Sequence, residues 1–267
     1  MTQNAPLPLD IKLMNGLASA LFGVLVLMLL GVGLAYVQQL PMFAIRGVTV
    51  VGDVSHYNAI SLRANVMPRL QGTFFTLDLQ AARQVFETMP WVRQAVVRRD
   101  FPNRLKVQLQ EHQAVAYWGV EGDSRLVNSF GEVFEANLGE LAQDDLPRLS
   151  GPEGQSAQVL AMLYTLQPLL SPLDMTLEQL ELTPRGGWRA QLDAGTVLEL
   201  GTGSTQELLA RLERFLKTVT QATSRYNRGV EQLAAVDLRH KDGYAIRLNG
   251  VSTVEAADMK KVIQGNR

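Results

Sequence analysis

The chain has 267 residues, 46% hydrophobic and 19% charged, and a formal net charge of −1. A balance this close to zero sets up no global field favouring nucleic acid. With no Cys in the sequence, disulfides, thiolate catalysis and Cys-ligated zinc are excluded.

Residues 1–14 read as a short, polar cytoplasmic stub. Between Lys12 and Arg46 no side chain is charged, and residues 15–37 are almost purely apolar. About 20 apolar residues in a helix span the ~30 Å hydrocarbon core of a bilayer, so this segment predicts a transmembrane helix. A cleaved signal peptide has a shorter apolar core followed by a small-x-small site, and Tyr36-Val37-Gln38-Gln39-Leu40 offers none. Lys12 before the helix and Arg46 after it leave the orientation undecided by charge.

Behind the anchor, Phe43-x-Ile45-x-x-Val48-x-Val50 followed by Gly52-Asp53 predicts a strand and a turn. Tyr57 to Leu70 has helical apolar spacing, with Ser55 as a candidate N-cap and Gly72 as its stop. Leu77-Asp78-Leu79 opens a second helix that runs to about Glu87, before Met89-Pro90. Residues 91–99 and the alternating Leu105-x-Val107-x-Leu109-x-Glu111 predict two strands around the turn Phe101-Pro102-Asn103. The order over residues 42–112 is β-α-α-β-β.

From 113 to 252 short strands and turns dominate. Strands are predicted at 115–120, 125–129 and 132–135, a loop from Leu146-Pro147 to Gly154, and a helix from Ser156 to Leu170. A three-strand meander follows at 177–182, 188–192 and 196–200. Residues 205–226 form an amphipathic helix, and 233–239 and 244–248 are final strands around Lys241-Asp242-Gly243. Residues 253–267 read as a polar tail. Strands and helices segregate, which predicts an α+β protein with mostly antiparallel pairing and flanking helices. Lys and Arg outnumber Asp and Glu nine to five in 42–112, whereas in 113–267 they number fifteen against twenty.

The chemistry-bearing residues do not assemble into a catalytic pattern. His56, His112 and His240 are far apart, and neither a Gly-x-Ser-x-Gly elbow nor a Ser-x-x-Lys pair occurs. Asp53-x-x-His56 is the nearest approach to a metal pair and reads as a polar turn, and His112 reads as a surface residue at a strand end. Gly201-Thr202-Gly203-Ser204 could bind phosphate through free N–H groups, but without a Walker pattern it reads as a strand-to-helix turn with a Ser or Thr cap. Arg93, Arg98, Arg99, Arg104 and Lys106 fall on strands, where alternate residues take opposite faces. The expectation is no enzyme, no cofactor, no metal and no small-molecule substrate.

Several short motifs recur in a fixed order. They include Phe75-x-Leu77-Asp78-Leu79, Pro90-Trp91-Val92, Arg98-Arg99-Asp100-Phe101-Pro102-x-x-Leu105-x-Val107 and Glu111-x-x-Ala114-x-Ala116-x-Trp118. Leu126-Val127-x-x-x-Gly131-x-Val133-Phe134, Leu146-Pro147-x-Leu149-x-Gly151-Pro152, Arg211-Leu212-x-Arg214-Phe215 and Val236-Asp237-Leu238-Arg239 complete the series. In order and spacing the chain resembles the FtsQ/DivIB family of bacterial division proteins. The resemblance implies a POTRA domain followed by a β-domain, both periplasmic, on a single-pass type II anchor in the inner membrane at the division septum. It implies a scaffold that joins FtsB and FtsL and connects early divisome proteins to septal peptidoglycan synthesis. The alternative is a membrane-anchored POTRA protein of outer-membrane insertion or secretion. The resemblance places FtsB on Arg239, His240, Asp242, Tyr244, Ala245, Ile246 and Leu248, and upstream division proteins on Gln94, Val97 and Arg99 of the POTRA domain. His240 stands where the family often has Tyr, and Leu248 where some members have Trp.

Overall fold

The computed structural model describes residues 9–53, 55–57, 59–141 and 145–251; the predicted tail at 253–267 lies outside them. Helix α1 runs from Leu9 to Gln38, and its stretch Leu13–Gln38 is long and apolar enough to cross a membrane. Beyond it the chain divides into two compact units, parted between Glu111 and His112.

The first unit follows the β-α-α-β-β order: β1 (Gly47–Asp53), α2 (Ala59–Val66), α3 (Leu79–Glu87), β2 (Val92–Asp100) and β3 (Arg104–Glu111). The last strand takes the centre. β1 pairs with β3 in parallel, β2 pairs with β3 antiparallel, and the sheet order is β1-β3-β2. Strict alternation in β3 turns Leu105, Val107 and Leu109 onto Leu62, Val66, Ala82 and Phe86. The same phase turns Glu111 inward, to 9% exposure. A carboxylate so placed needs donors, and it has them. Ser55 N–H (3.0 Å) and Oγ (3.1 Å) donate to Oε2, His56 N–H reaches both oxygens at 3.3 Å, and His56 Nδ1 lies 2.9 Å from Oε2. The Ser55 hydroxyl expected to cap α2 is therefore spent on Glu111, and the helix begins later, at Ala59. Asp78 caps α3 by accepting from the N–H groups of Gln80 and Ala81.

The second unit is one open sheet of nine strands: β4 (Ala114–Trp118), β5 (Arg125–Asn128), β6 (Val133–Glu135), β7 (Arg148–Ser150), β8 (Leu177–Leu182), β9 (Trp188–Leu192), β10 (Val197–Gly201), β11 (Leu233–Asp237) and β12 (Ala245–Leu248). Its order is β12-β11-β10-β9-β8-β7-β4-β5-β6. Five of the pairings are antiparallel and three parallel, the latter β10 with β11, β4 with β7 and β7 with β8. The α+β class with mostly antiparallel pairing holds. Helices α4 (Ser156–Leu170) and α5 (Thr205–Ser224) bury Leu163, Leu166, Leu212, Phe215 and Val219 in the core with Leu180, Leu198 and Val236.

Two further readings change. The stretch read as a loop after Pro147 holds β7, whose three residues join the two halves of the sheet; Leu149 is fully buried. His112 is half-buried rather than on the surface. Its ring stacks on Phe134 at 4.1 Å, and Nδ1 lies 2.9 Å from the Asn128 side-chain amide. The turn at 201–204 is the strand-to-helix turn expected. Ser204 caps α5 in a reciprocal pair with Glu207, whose carboxyl the Ser204 backbone and hydroxyl hold below its usual pKa.

Candidate protein-interaction site

β12 closes one end of the nine-stranded sheet and β6 the other. Hydrogen bonds on either side of β11 fix which groups of β12 are free. Leu238 N–H donates to Glu199 O at 2.9 Å, so residues 236 and 238 face β10 while Ala235 and Asp237 face β12. Their partners are Arg247 and Ala245, and Asn249 N–H, in phase with both, donates to Gln232 O at 2.9 Å. Ile246 is out of phase. Its N–H and C=O point away from β11, as does the N–H of Leu248. Among the described residues no strand pairs with this side of β12.

The side chains expected to carry recognition divide into four groups. His240, Asp242 and Ala245 are exposed. Tyr244 and Leu248 serve the fold: Tyr244 lies edge-to-face on Phe215 at 5.3 Å with its hydroxyl 2.7 Å from Thr218 Oγ1, and Leu248 is 6% exposed. Ile246 is half-buried against the core. Arg239 is exposed but engaged, since its Nε and Nη2 donate to the two Asp237 carboxylate oxygens at 2.9 and 2.6 Å. That bidentate contact holds the Asp237 carboxyl at a pKa of about 2 and raises the Arg239 guanidinium above its usual value. A groove of about 290 Å³ beside it is lined by Arg185, Trp188, Glu199, Arg211 and Arg239. The turn between β11 and β12 is tied to α5 through Arg214, whose Nη1 donates to Lys241 O at 2.7 Å. Sequence reasoning missed this brace, although Arg214 and Phe215 stood in the motif series one helical turn from Thr218.

On the first unit, β2 is an edge strand. Gln94 is exposed, but Val97 is buried in the core, so Val97 can offer a partner its backbone and not its side chain. Arg99 is exposed yet spends its guanidinium on the carbonyls of Phe74 (2.6 Å), Phe75 (3.3 Å) and Leu77 (2.7 Å), locking the turn ahead of α3. Glu87 accepts the outward N–H of Ala95 at 3.1 Å, so part of this edge is already occupied. Among the described residues the β12 edge is the freer of the two.

Ser55, His56 and Glu111 are the residue types of a hydrolytic triad, but both Ser55 and His56 bond the carboxylate, and His56 stacks flat on Trp91 at 3.8 Å. Nucleophilic catalysis needs a nucleophile bonded to its base, whereas this arrangement pins the segment at 55–56 to the end of β3. Among the described residues no group of three Asp, Glu or His is placed to hold a metal.

The family described as "POTRA domain, FtsQ-type" matches residues 43–112, and that described as "Cell division protein FtsQ/DivIB, C-terminal" matches 116–239, ending just before β12. Among similar proteins named "Cell division protein FtsQ", that of Thiomonas arsenitoxydans is 40% identical, covering 94% of this chain and 93% of the relative. That of Burkholderia pseudomallei is 38% identical over 94% and 98% of the two chains, and that of Bordetella pertussis 34% over 94% and 96%. The chain belongs to the FtsQ/DivIB family of cell-division proteins.

Proposed function

We propose that this protein is a non-enzymatic, bitopic scaffold of the divisome that holds FtsB, and through it FtsL, by adding a strand of the partner to β12. The observation that carries the proposal is the free main chain of Ile246 at the end of the nine-stranded sheet. Such an edge templates a further strand, with main-chain hydrogen bonds giving affinity and flanking side chains giving register. His240, Asp242, Ala245 and Arg247 are the exposed neighbours that a partner strand would meet. The exposed face of Arg239 keeps an N–H for a partner carboxylate even while Asp237 holds the other side. In this reading the anchor helix crosses the inner membrane and both units stand in the periplasm at the septum. There the scaffold connects early division proteins, docking at the POTRA edge beside Gln94, Val97 and Arg99, to septal peptidoglycan synthesis.

A photo-crosslinking residue at Ala245 in the full chain, expressed in dividing cells, should give an adduct with FtsB, while the same residue at the exposed Tyr164 on α4 should not. FtsB that co-purifies with the chain yet never crosslinks at position 245 refutes the edge as the docking site.

A further inference from the structure

The POTRA unit carries an aromatic platform at the end where the membrane helix enters. Sheet topology brings three chain segments to that end. β1 and β3 run parallel, with Gly47 opposite Arg104, so the start of β1 and the turn Phe101-Pro102-Asn103 lie together; Arg46 N–H donates to Asn103 O at 3.0 Å. The third segment is the turn at 73–76. Thr73 Oγ1 donates to the carbonyl of Gln38, the last residue of α1, at 2.7 Å, and Phe74 N–H donates to Phe43 O at 2.8 Å. The turn bearing Phe74 and Phe75 is thus bonded directly to the final turn of the apolar helix.

The side chains on this end are large and apolar. Phe75 packs edge-on against Phe43 at 5.0 Å and Phe74 at 5.3 Å, and Phe74 meets Phe101 at 6.2 Å. Phe74 is buried beneath them, while Met42 is 62%, Phe75 46% and Phe101 80% exposed. Arg99 donates to the carbonyls of Phe74, Phe75 and Leu77, which holds the exposed rings in place. Clustered exposed apolar residues in a water-soluble unit mark a contact surface.

The position selects the occupant. The span Leu13–Gln38 has 26 residues, about 39 Å of helix against a hydrocarbon core of about 30 Å. The charge-free run continues past the helix to Ile45, and Arg46 is the first charge after it. A helix that overspans the core by about 9 Å carries its final turn into the headgroup layer, and the uncharged stretch with Met42 and Phe43, to which Phe74 is bonded, follows directly. Phe and other apolar side chains presented at this depth bury into the boundary between headgroups and acyl chains. Arg46 and Arg104 are exposed on the same end and can reach lipid phosphates, with Asp100 beside them as the opposing charge.

We propose that Met42, Phe75 and Phe101 seat the POTRA unit in the lipid headgroup layer. This fixes the height of the unit above the bilayer and stops it swinging on its tether. The inference rests on the reading of α1 as a membrane anchor.

Because the chain has no Cys, single Cys variants carry a fluorophore cleanly. The full chain in nanodiscs of phosphatidylethanolamine and phosphatidylglycerol is labelled with an environment-sensitive dye at Met42→Cys, Phe75→Cys or Phe101→Cys. Val96→Cys, on the exposed face of β2, and Leu25→Cys, inside the anchor, are the controls. A shallow nitroxide lipid should quench labels at 42, 75 and 101 at least about twofold more than at 96, as expected for groups about 5–10 Å into the interface. The three positions are independent, so one variant that misfolds leaves the test standing. Labels at 75 and 101 that are open to aqueous iodide and unquenched by the lipid overturn the proposal. Labels shielded from both quenchers also overturn it, because the cover is then protein. If the label at 25 escapes the lipid nitroxide, the anchor reading falls and the platform with it; quenching at 25 without quenching at 75 and 101 removes the platform alone.

Discussion

Replacing Ile246 by Pro tests the docking edge at its one fully outward residue. In β12 the N–H of Ile246 points away from β11, so Pro removes a donor that the sheet does not use. The preceding Ala245 is already extended, as a residue before Pro must be. The intrinsic cost is the partial loss of a half-buried side chain, about 1 kcal/mol by analogy with small core truncations. The cost to a partner strand is larger. It loses one main-chain hydrogen bond, about 0.5–1.5 kcal/mol net, and its carbonyl is left unpaired against the edge for about 1–3 kcal/mol more. A total of about 1.5–4.5 kcal/mol is about a 10- to 2,000-fold weaker complex. Ala245→Pro is the contrasting variant. Its N–H faces β11 opposite Asp237, so Pro there breaks the protein's own ladder and costs about 3 kcal/mol of stability. Interferometry with the nanodisc-held chain and the periplasmic part of FtsB gives affinity, and thermal melting gives stability. Ile246→Pro should lose binding with little change in melting, and Ala245→Pro should lose both. Binding of Ile246→Pro within about twofold of the parent refutes the edge, and equal loss of melting temperature in both variants refutes the assigned phase of β12.

Three further outcomes follow from the geometry. Arg99→Ala should destabilise the POTRA unit by about 1–2 kcal/mol, discounted for exposure, because three carbonyls lose a charged donor; Arg99→Lys should recover little of it, and an unchanged melting curve for Arg99→Ala counts against the contact. Glu111→Ala should cost about 2–3 kcal/mol by stranding the N–H groups of Ser55 and His56, and amide exchange at 55 and 56 should accelerate ahead of global unfolding; exchange unchanged at both would show that the carboxylate is not their acceptor. The Asp237 carboxyl, held at a pKa of about 2 by Arg239, is depressed below its unfolded value of 3.8. Its contribution is therefore complete above about pH 4 and is lost as pH falls toward 2, so acid unfolding of Asp237→Asn should lack this part of the parent's decline, and parallel curves would discount the pair.

The local elements were legible where periodicity had room to show. The helix from Ser156 to Leu170 and the strands at 177–182 and 188–192 match residue for residue, because several apolar repeats and a turn residue bound each. β7 was not legible: three residues between Pro147 and Gly151 carry no period, and only the burial of Leu149 shows that they complete the sheet. Parity in β2 already set Val97 in phase with the apolar Ala95, hence inward, and that signal was available for the asking. Sheet order was not, since it depends on which distant strands meet. That β3 rather than β1 or β2 is central, and that the last strand lies at an edge, are facts of pairing between residues far apart in the chain. Likewise Arg239 and Arg99 are recognisable as basic residues, but only the folded structure shows that each is already committed to an internal partner.

In the proposed docking mode the hairpin divides its work between structure and recognition. Of the residues on the hairpin, Tyr244 and Leu248 hold the sheet to α5 and the core, Arg239 holds Asp237, and Arg214 holds the turn through a carbonyl. What they jointly present is a strand of fixed position with open main-chain groups at Ile246. A main-chain donor has no side chain to mutate, so in the proposed docking mode the exposed positions 240, 242, 245 and 247 are left to tune register and discriminate between partners. In that mode the exposed His240, which lies outside β12, acts on the tuning without touching the ladder.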